Sequence, residues 1–195
     1  MTKKYQNKYR IESARKKGYD YSQNGAYFIT IVTKNRECFF GNIVGKDAMH
    51  RVSTMELSEI GKIVWDEWLK TPSIRPDMNL EMVEFIVMPN HIHGIIYIAD
   101  NEFNTLQGRD AMLRVSTEYK NKFEPQQKNL SSIIRGFKSA VTIKSREINP
   151  NFAWQPRFHD RIIRNENELN RKRKYIRENP AKWYLDRNNG DDLWL

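Results

Sequence analysis

Four residues in this sequence have the types and spacing to act on a phosphodiester. His91 and His93 are separated by one residue inside the run Glu84-Phe-Ile-Val-Met-Pro-Asn-His-Ile-His-Gly-Ile-Ile-Tyr-Ile98. On a strand, residues i and i+2 point to the same face with Cα atoms roughly 6.5 to 7 Å apart, so the two imidazoles can converge on one metal ion. Two histidines are too few for a closed structural zinc site, and the single cysteine, Cys38, cannot complete one. A third ligand has to come from elsewhere. Tyr175 and Asn179 lie four residues apart in a helical stretch and therefore share a face. Asn179 offers a carbonyl oxygen, a hard ligand suited to Mg2+ or Mn2+, and Tyr175 offers a hydroxyl beside it. Such a metal would polarise a non-bridging phosphate oxygen while Tyr175 attacked phosphorus. The phenol, with a reference pKa near ~10, would lose its proton in the attack. A phosphotyrosine conserves the energy of the broken bond, which is the chemistry of strand transfer rather than hydrolysis. Each residue also has a plainer reading: a pair of hydrogen-bonded histidines at a strand edge, Asn179 as a helix cap before Pro180, and Tyr175 as packing against a sheet.

The chain around these residues is basic. Its 195 residues carry a formal charge of +9 with a pI near 9.6, which points to a polyanionic partner. Apolar residues at 39% and aromatics at 12% are enough to build a core, so the expectation is one folded domain over 1–195. One cysteine allows no intramolecular disulfide and suits a reducing cytoplasm. The N-terminus lacks an apolar signal region and no stretch approaches about 18 apolar residues, so neither secretion nor a membrane span is expected. The first 25 residues form a basic, aromatic arm in which Lys3, Lys4, Lys8, Arg10, Arg15, Lys16 and Lys17 alternate with Tyr5, Tyr9, Tyr19 and Tyr21. Cations to neutralise phosphates and rings to stack bases suit single-stranded nucleic acid.

The elements that must position the four residues follow from periodicity. Ala26–Thr33 is rich in β-branched and aromatic residues and reads as a central strand. The segment 41–54 reads as a loop. A helix is expected over 55–70, capped by Ser53 with Glu56 and ended by Thr71-Pro72. Leu80–Met88 and His91–Ile98 read as strands joined by a tight turn at Pro89-Asn90. On the second of them His91, His93, Ile95 and Tyr97 share a face opposite Ile92, Gly94, Ile96 and Ile98, where Gly94 marks either a close approach or a bulge. After a polar excursion over 100–128, a second helix is expected over 130–148, with Arg135 and Lys138 on its polar face for phosphates. A fourth strand follows over 158–164. A third helix, opened by Asn165 and Glu168 and stopped by Pro180, carries Arg171, Lys172 and Lys174 near Arg161 as a second basic cluster. The order β-α-β-β-α-β predicts a ferredoxin-like α+β fold: an antiparallel sheet with its first and third strands central, two helices on one face, and the appended tyrosine-bearing helix available to cover the other.

Two near-identical decapeptides, Gly45-Lys-Asp-Ala-Met-His-Arg-Val-Ser-Thr54 and Gly108-Arg-Asp-Ala-Met-Leu-Arg-Val-Ser-Thr117, fall in the two segments read as loops. One spaced pair is not a solenoid, and the expectation is that both are inserted copies of a dispersed DNA repeat with no part in the chemistry.

Val87-Met-Pro-Asn-His-Ile-His93 resembles the HUH motif (His, bulky apolar, His) of single-tyrosine transposases, and Arg173-Lys-Tyr-Ile-Arg-Glu-Asn-Pro-Ala-Lys-Trp183 resembles their tyrosine helix. With Gly18-Tyr-Asp-Tyr21, Gly25-Ala-Tyr-Phe-Ile-Thr30, Gly136-Phe-Lys138 and Phe158-His-Asp-Arg-Ile-Ile163, the chain is similar to the REP-associated tyrosine transposases over nearly its whole length outside the decapeptide loops. The resemblance implies a cytoplasmic, nucleoid-associated enzyme that nicks and transfers single-stranded DNA at hairpins formed by short palindromic repeats. It would form a 5′-phosphotyrosine at Tyr175 and leave a 3′-hydroxyl. His91, His93 and Asn179 match the family's metal positions, for Mg2+ or Mn2+, and His159 and Asp160 are candidates for orienting substrate or a metal ligand. Monomer and homodimer both remain open. The alternative is a ferredoxin-like module that binds nucleic acid without cleaving it.

Overall fold

A computed structural model of the chain describes residues 16, 19–45, 53–105, 127–186 and 189. Lys3, Lys4, Lys8, Arg10, Arg15 and Lys17 of the expected arm lie outside them, as do the second decapeptide and most of the first.

Four strands, β1 (Gly25–Val32), β4 (Leu80–Val87), β5 (His91–Ile98) and β6 (His159–Ile163), form one antiparallel sheet in the order β4-β5-β1-β6. The first and third strands of the expected fold are thus central, and alternation divides their side chains between two covered faces. Tyr27, Ile29 and Ile31 of β1 join Ile92, Ile96 and Ile98 of β5 in the main core. There they meet Val64 and Trp68 of α1 (Glu59–Ile74) and Ile133, Phe137 and Val141 of α2 (Leu130–Ile148). On the other face Phe28, Ile95 and Ile163 pack against Ile176 of α3 (Glu166–Glu178), with Leu169 beside them. No described helix is long and apolar enough to cross a membrane.

Gly94 is a close-approach residue. A Cβ there would lie 2.4 Å from Cζ2 of Trp68, so only glycine lets this indole come so close to β5 on the face opposite His93. A bulge does occur nearby, in β4 between Met82 and Glu84. It shifts the alternation by one, so that Met82 and Phe85 pair with the core-facing Ile96 and Gly94 while Glu84 and Ile86 pair with Ile95 and His93. Glu84 is thereby aimed at α3, where Arg177 donates to it from Nη2 at 2.7 Å and Nε at 3.1 Å.

The segment expected to be a loop over 41–54 contains structure. Gly41–Val44 (β2) and Thr54–Leu57 (β3) form a separate two-stranded antiparallel sheet, and the first decapeptide spans their connection. Residues assigned to the first helical turn are therefore strand, and α1 starts four residues later on a different cap. Ser58 Oγ accepts from the Gly61 N–H at 3.0 Å. At its other end α1 runs through Pro72 to Ile74 and closes with a tighter bond from the Arg75 N–H to the Pro72 carbonyl. Asn165 caps α3 as expected, accepting from the Glu168 N–H at 2.8 Å. The Glu168 carboxylate reaches back to the Arg164 N–H at 3.2 Å and binds Arg161 Nε at 2.6 Å.

Candidate active site

The turn at Pro89-Asn90 is the two-residue hairpin connection, closed by the Met88 N–H donating to the His91 carbonyl at 2.8 Å. It starts β5 with His91 and His93 on the face that α3 covers. Both rings are buried, at 0% and 3% exposure. Their Nε2 atoms are 3.0 Å apart. The outer nitrogens are held by neighbours: His91 Nδ1 lies 2.9 Å from Asn90 Oδ1, and His93 Nδ1 lies 2.8 Å from the hydroxyl of Thr30, its register partner on β1. Phe28 stacks on His93 and Trp183 on His91, with ring planes within 24° and 29° of parallel.

Helix α3 brings its own row to the same place. Lys172, Tyr175 and Asn179 follow helical spacing and line one open cleft of about 460 Å³ with Thr30, His93 and Asp186. The Tyr175 hydroxyl is 3.2 Å from His93 Nε2, while 42% of the residue remains exposed to solvent. The Lys172 ammonium sits 4.2 Å above the Phe28 ring and 5.5 Å from that of Tyr175. Burial, and then the nearby Arg161, lowers the pKa of Lys172. Asn179 is 3% exposed and its Oδ1 has no hydrogen-bond partner among the described residues. A buried carbonyl without a partner carries a desolvation cost of about 1–3 kcal/mol. Asn179 is the C-cap residue of α3, its N–H donating to the Ile176 carbonyl at 3.3 Å, and the chain continues past it into a 3-10 turn over Pro180–Leu185.

That turn delivers a residue the sequence reading missed. Asp186, with a side chain only 6% exposed, places Oδ2 3.7 Å from His91 Nε2. The ligand atoms of His91, His93 and Asp186 all lie within 4.8 Å of one another, a cluster able to hold a divalent metal ion. The donors fit one. Two ligands at right angles about an ion with bonds of about 2.1 Å are themselves about 3 Å apart, as the two Nε2 atoms are. The orphaned Asn179 carbonyl and the Asp186 carboxylate supply hard oxygens. No local signal marked Asp186, which lies beyond the helix-stopping proline. Thr30 and Phe28 were within reach, since the expected strand order sets alternate β1 residues beside His93 and Ile95.

The other expected residues are scattered. His159 pairs with Thr30 and so shares the site face, but it is exposed; Asp160 pairs with Ile29 on the opposite face. Arg161 and Lys174 are exposed and ion-paired with Glu168 and Glu178, and Arg135 and Arg171 are exposed on their helices. Lys138 points into the fold. Its ammonium donates to the carbonyls of Gln155 at 2.7 Å and Arg157 at 3.0 Å, and burial pulls its pKa down to about 8. Lys16 is exposed, with its Nζ 5.6 Å from the Tyr19 ring.

No protein-family model matches the chain. It is 35% identical over 178 residues to a protein of Haemophilus influenzae described as uncharacterised, covering 89% of this chain and 90% of that one. Among solved structures, that of a REP-associated tyrosine transposase bound to a REP hairpin is similar with a TM-score of 0.50 and 21% identity, over 87% of this chain and 74% of the other. A putative transposase of Deinococcus radiodurans gives a TM-score of 0.41 at 16% identity, over 83% of this chain and 94% of that one. The chain belongs to one family with the Haemophilus influenzae protein, and its fold is that of the REP-associated tyrosine transposases.

Proposed function

We propose that this protein nicks single-stranded DNA at hairpin-forming palindromes and rejoins the ends through a phosphotyrosine on Tyr175. The observation that carries the reading is the position of the Tyr175 hydroxyl, 3.2 Å from His93 Nε2 at the mouth of a cleft that also holds Lys172 and the unpartnered Asn179 carbonyl. A tyrosine that served packing alone would have no reason to set its hydroxyl against a buried histidine there. The fold is shared with a transposase captured on a REP hairpin, and the charge of +9 suits a nucleic-acid partner.

His91, His93 and Asn179, with Asp186, would hold Mg2+ or Mn2+. Bound there, the ion would supply Lewis-acid polarisation of a phosphate oxygen. The chain's own residues do the rest. Lys172, held over the Phe28 ring and near that of Tyr175, sets a positive charge where a phosphate enters and favours the phenolate over the phenol. Tyr175 Oη attacks phosphorus and loses its proton. The bond from phosphorus to the 3′-oxygen breaks, that oxygen leaves as a 3′-hydroxyl after taking up a proton, and the 5′ end stays on the tyrosine. A second 3′-hydroxyl attacking the same phosphorus reverses the exchange and releases Tyr175, so no nucleotide energy source is needed. Phe28 stacked on His93 and Trp183 stacked on His91 keep the ligands from turning. The setting is the cytoplasmic nucleoid.

Incubation with single-stranded hairpin DNA and Mn2+ or Mg2+, followed by a denaturing gel, tests this. A protein-linked DNA band that disappears with chelator is expected. Hairpin binding without any covalent band would make the protein a binding module instead.

A further inference from the structure

Asn90, in the turn before His91, has no exposed surface and uses both ends of its amide. Nδ2 donates to the Arg36 carbonyl at 2.9 Å, and Oδ1 lies 2.9 Å from His91 Nδ1. A backbone carbonyl only accepts, so turning the amide end for end would set two oxygens against each other. Oδ1 therefore faces His91, and because it too only accepts, the proton must be on Nδ1. A neutral imidazole has one N–H, so Nε2 of His91 is left as a bare lone pair directed at the cleft's metal-binding cluster.

The Arg36 carbonyl is itself held in place. Asn35 and Arg36 both have left-handed backbone, at φ 56° and 58°, a conformation that non-glycine residues rarely adopt in succession. Thr33 clamps this turn to the hairpin: its hydroxyl reaches the carbonyls of Glu37 at 2.7 Å and Asn90 at 3.0 Å, and its N–H donates to the Asn90 carbonyl at 2.9 Å. His93 is treated differently. Its Nδ1 meets the Thr30 hydroxyl, which can donate or accept, so without metal its proton is set by the bare Nε2 of His91, 3.0 Å away, to which His93 Nε2 donates.

We infer that Asn90 is a positioning residue that locks His91 in the tautomer with the proton on Nδ1, so that Nε2 is a preformed ligand before any metal arrives. The inference rests on the metal-assisted reading of the site. It can be measured without DNA or turnover, in the full chain labelled with [15N]histidine and freed of metal, at a pH where the ring is neutral. Long-range 1H–15N correlation spectra show which nitrogen carries the proton. His91 is expected to be protonated on Nδ1 in the wild type. Asn90→Leu is expected to lose this preference and to bind Mn2+ about 10- to 100-fold more weakly in a DNA-free titration. His91 protonated on Nε2 in the wild type overturns the inference, and that spectrum requires no variant to fold. An Asn90→Leu protein that keeps both the tautomer and the Mn2+ affinity overturns it as well. A wild type with the expected tautomer and Mn2+ affinity but no covalent DNA adduct supports the role of Asn90 and sinks strand transfer, so the two readings fail separately.

Discussion

The two faces of β1 and β5 are covered by helices in both cases, yet they are built on different terms. Toward α1 and α2 the strands present Tyr27, Ile29, Ile31, Ile92 and Ile96, and the contact is so close that Gly94 admits no Cβ beneath Trp68. Toward α3 the same strands present Phe28, Thr30, His91, His93 and Ile95. There the apolar contact is a small patch around Ile176, and the rest is histidine, lysine, tyrosine and an unpartnered amide carbonyl around an open cleft. Burial of the first kind holds the fold. The second keeps polar groups desolvated but accessible, an arrangement that costs stability and repays it only when a ligand arrives. One strand serves both because alternate residues face opposite ways.

Substitutions on the two faces should therefore separate activity from stability. His93→Ala removes a proposed metal ligand and the contact to Tyr175, and the covalent adduct should fall by roughly 10²-fold or more in gel assays while the protein stays folded by circular dichroism. Gly94→Ala, one residue along the strand, forces a Cβ to within 2.4 Å of Trp68 and should cost about 1–3 kcal/mol in denaturant unfolding. Its adduct yield per folded molecule should change much less than that of His93→Ala. An equal loss of chemistry in both would mean that the faces are not independent.

A smaller effect is expected where α3 begins. Arg161 holds the Glu168 carboxyl below its ordinary value near 4.5, so the folded form binds the proton less readily than the unfolded one. Its contribution is present above that ordinary value and is lost as the pH falls through the lowered one. Glu168→Gln should lower the melting temperature slightly near neutrality and flatten the acid limb of its pH profile, so that the difference from the wild type shrinks as the pH falls below about 4.5. The smallest effect belongs to the repeats. Replacing 108–117 with a Gly/Ser linker of equal length should leave adduct formation unaltered in the same gel assay, and a loss would give that decapeptide a part in substrate binding.

The contrast between the faces also explains what could be read from the sequence. His91-Ile-His-Gly94 sits in a strand with strict alternation, so both faces of β5 were legible before any coordinates, as was the order that makes β5 and β1 central. The helical spacing of Tyr175 and Asn179 was equally plain. What escaped depends on tertiary pairing. Ser53 with Glu56 has the full pattern of a capping box, but Thr54–Leu57 pairs with Gly41–Val44 and the cap passes to Ser58. Four-residue strands carry too few alternations to outweigh a local helix signal. The bulge that aims Glu84 at Arg177 inserts one residue that no periodicity announces. Asp186 reaches His91 because a 3-10 turn after Pro180 carries the chain back over the cleft, and Lys138 is drawn inward by two carbonyls from a distant loop.

The central claim is that Tyr175 is the nucleophile. Digesting the adduct with nuclease and protease and weighing its peptides tests this most directly. A nucleotide joined through its 5′-phosphate to the peptide containing Tyr175, and no adduct at all from Tyr175→Phe, is the predicted result. A nucleotide on any other residue, or a covalent band that persists in Tyr175→Phe, would contradict the account.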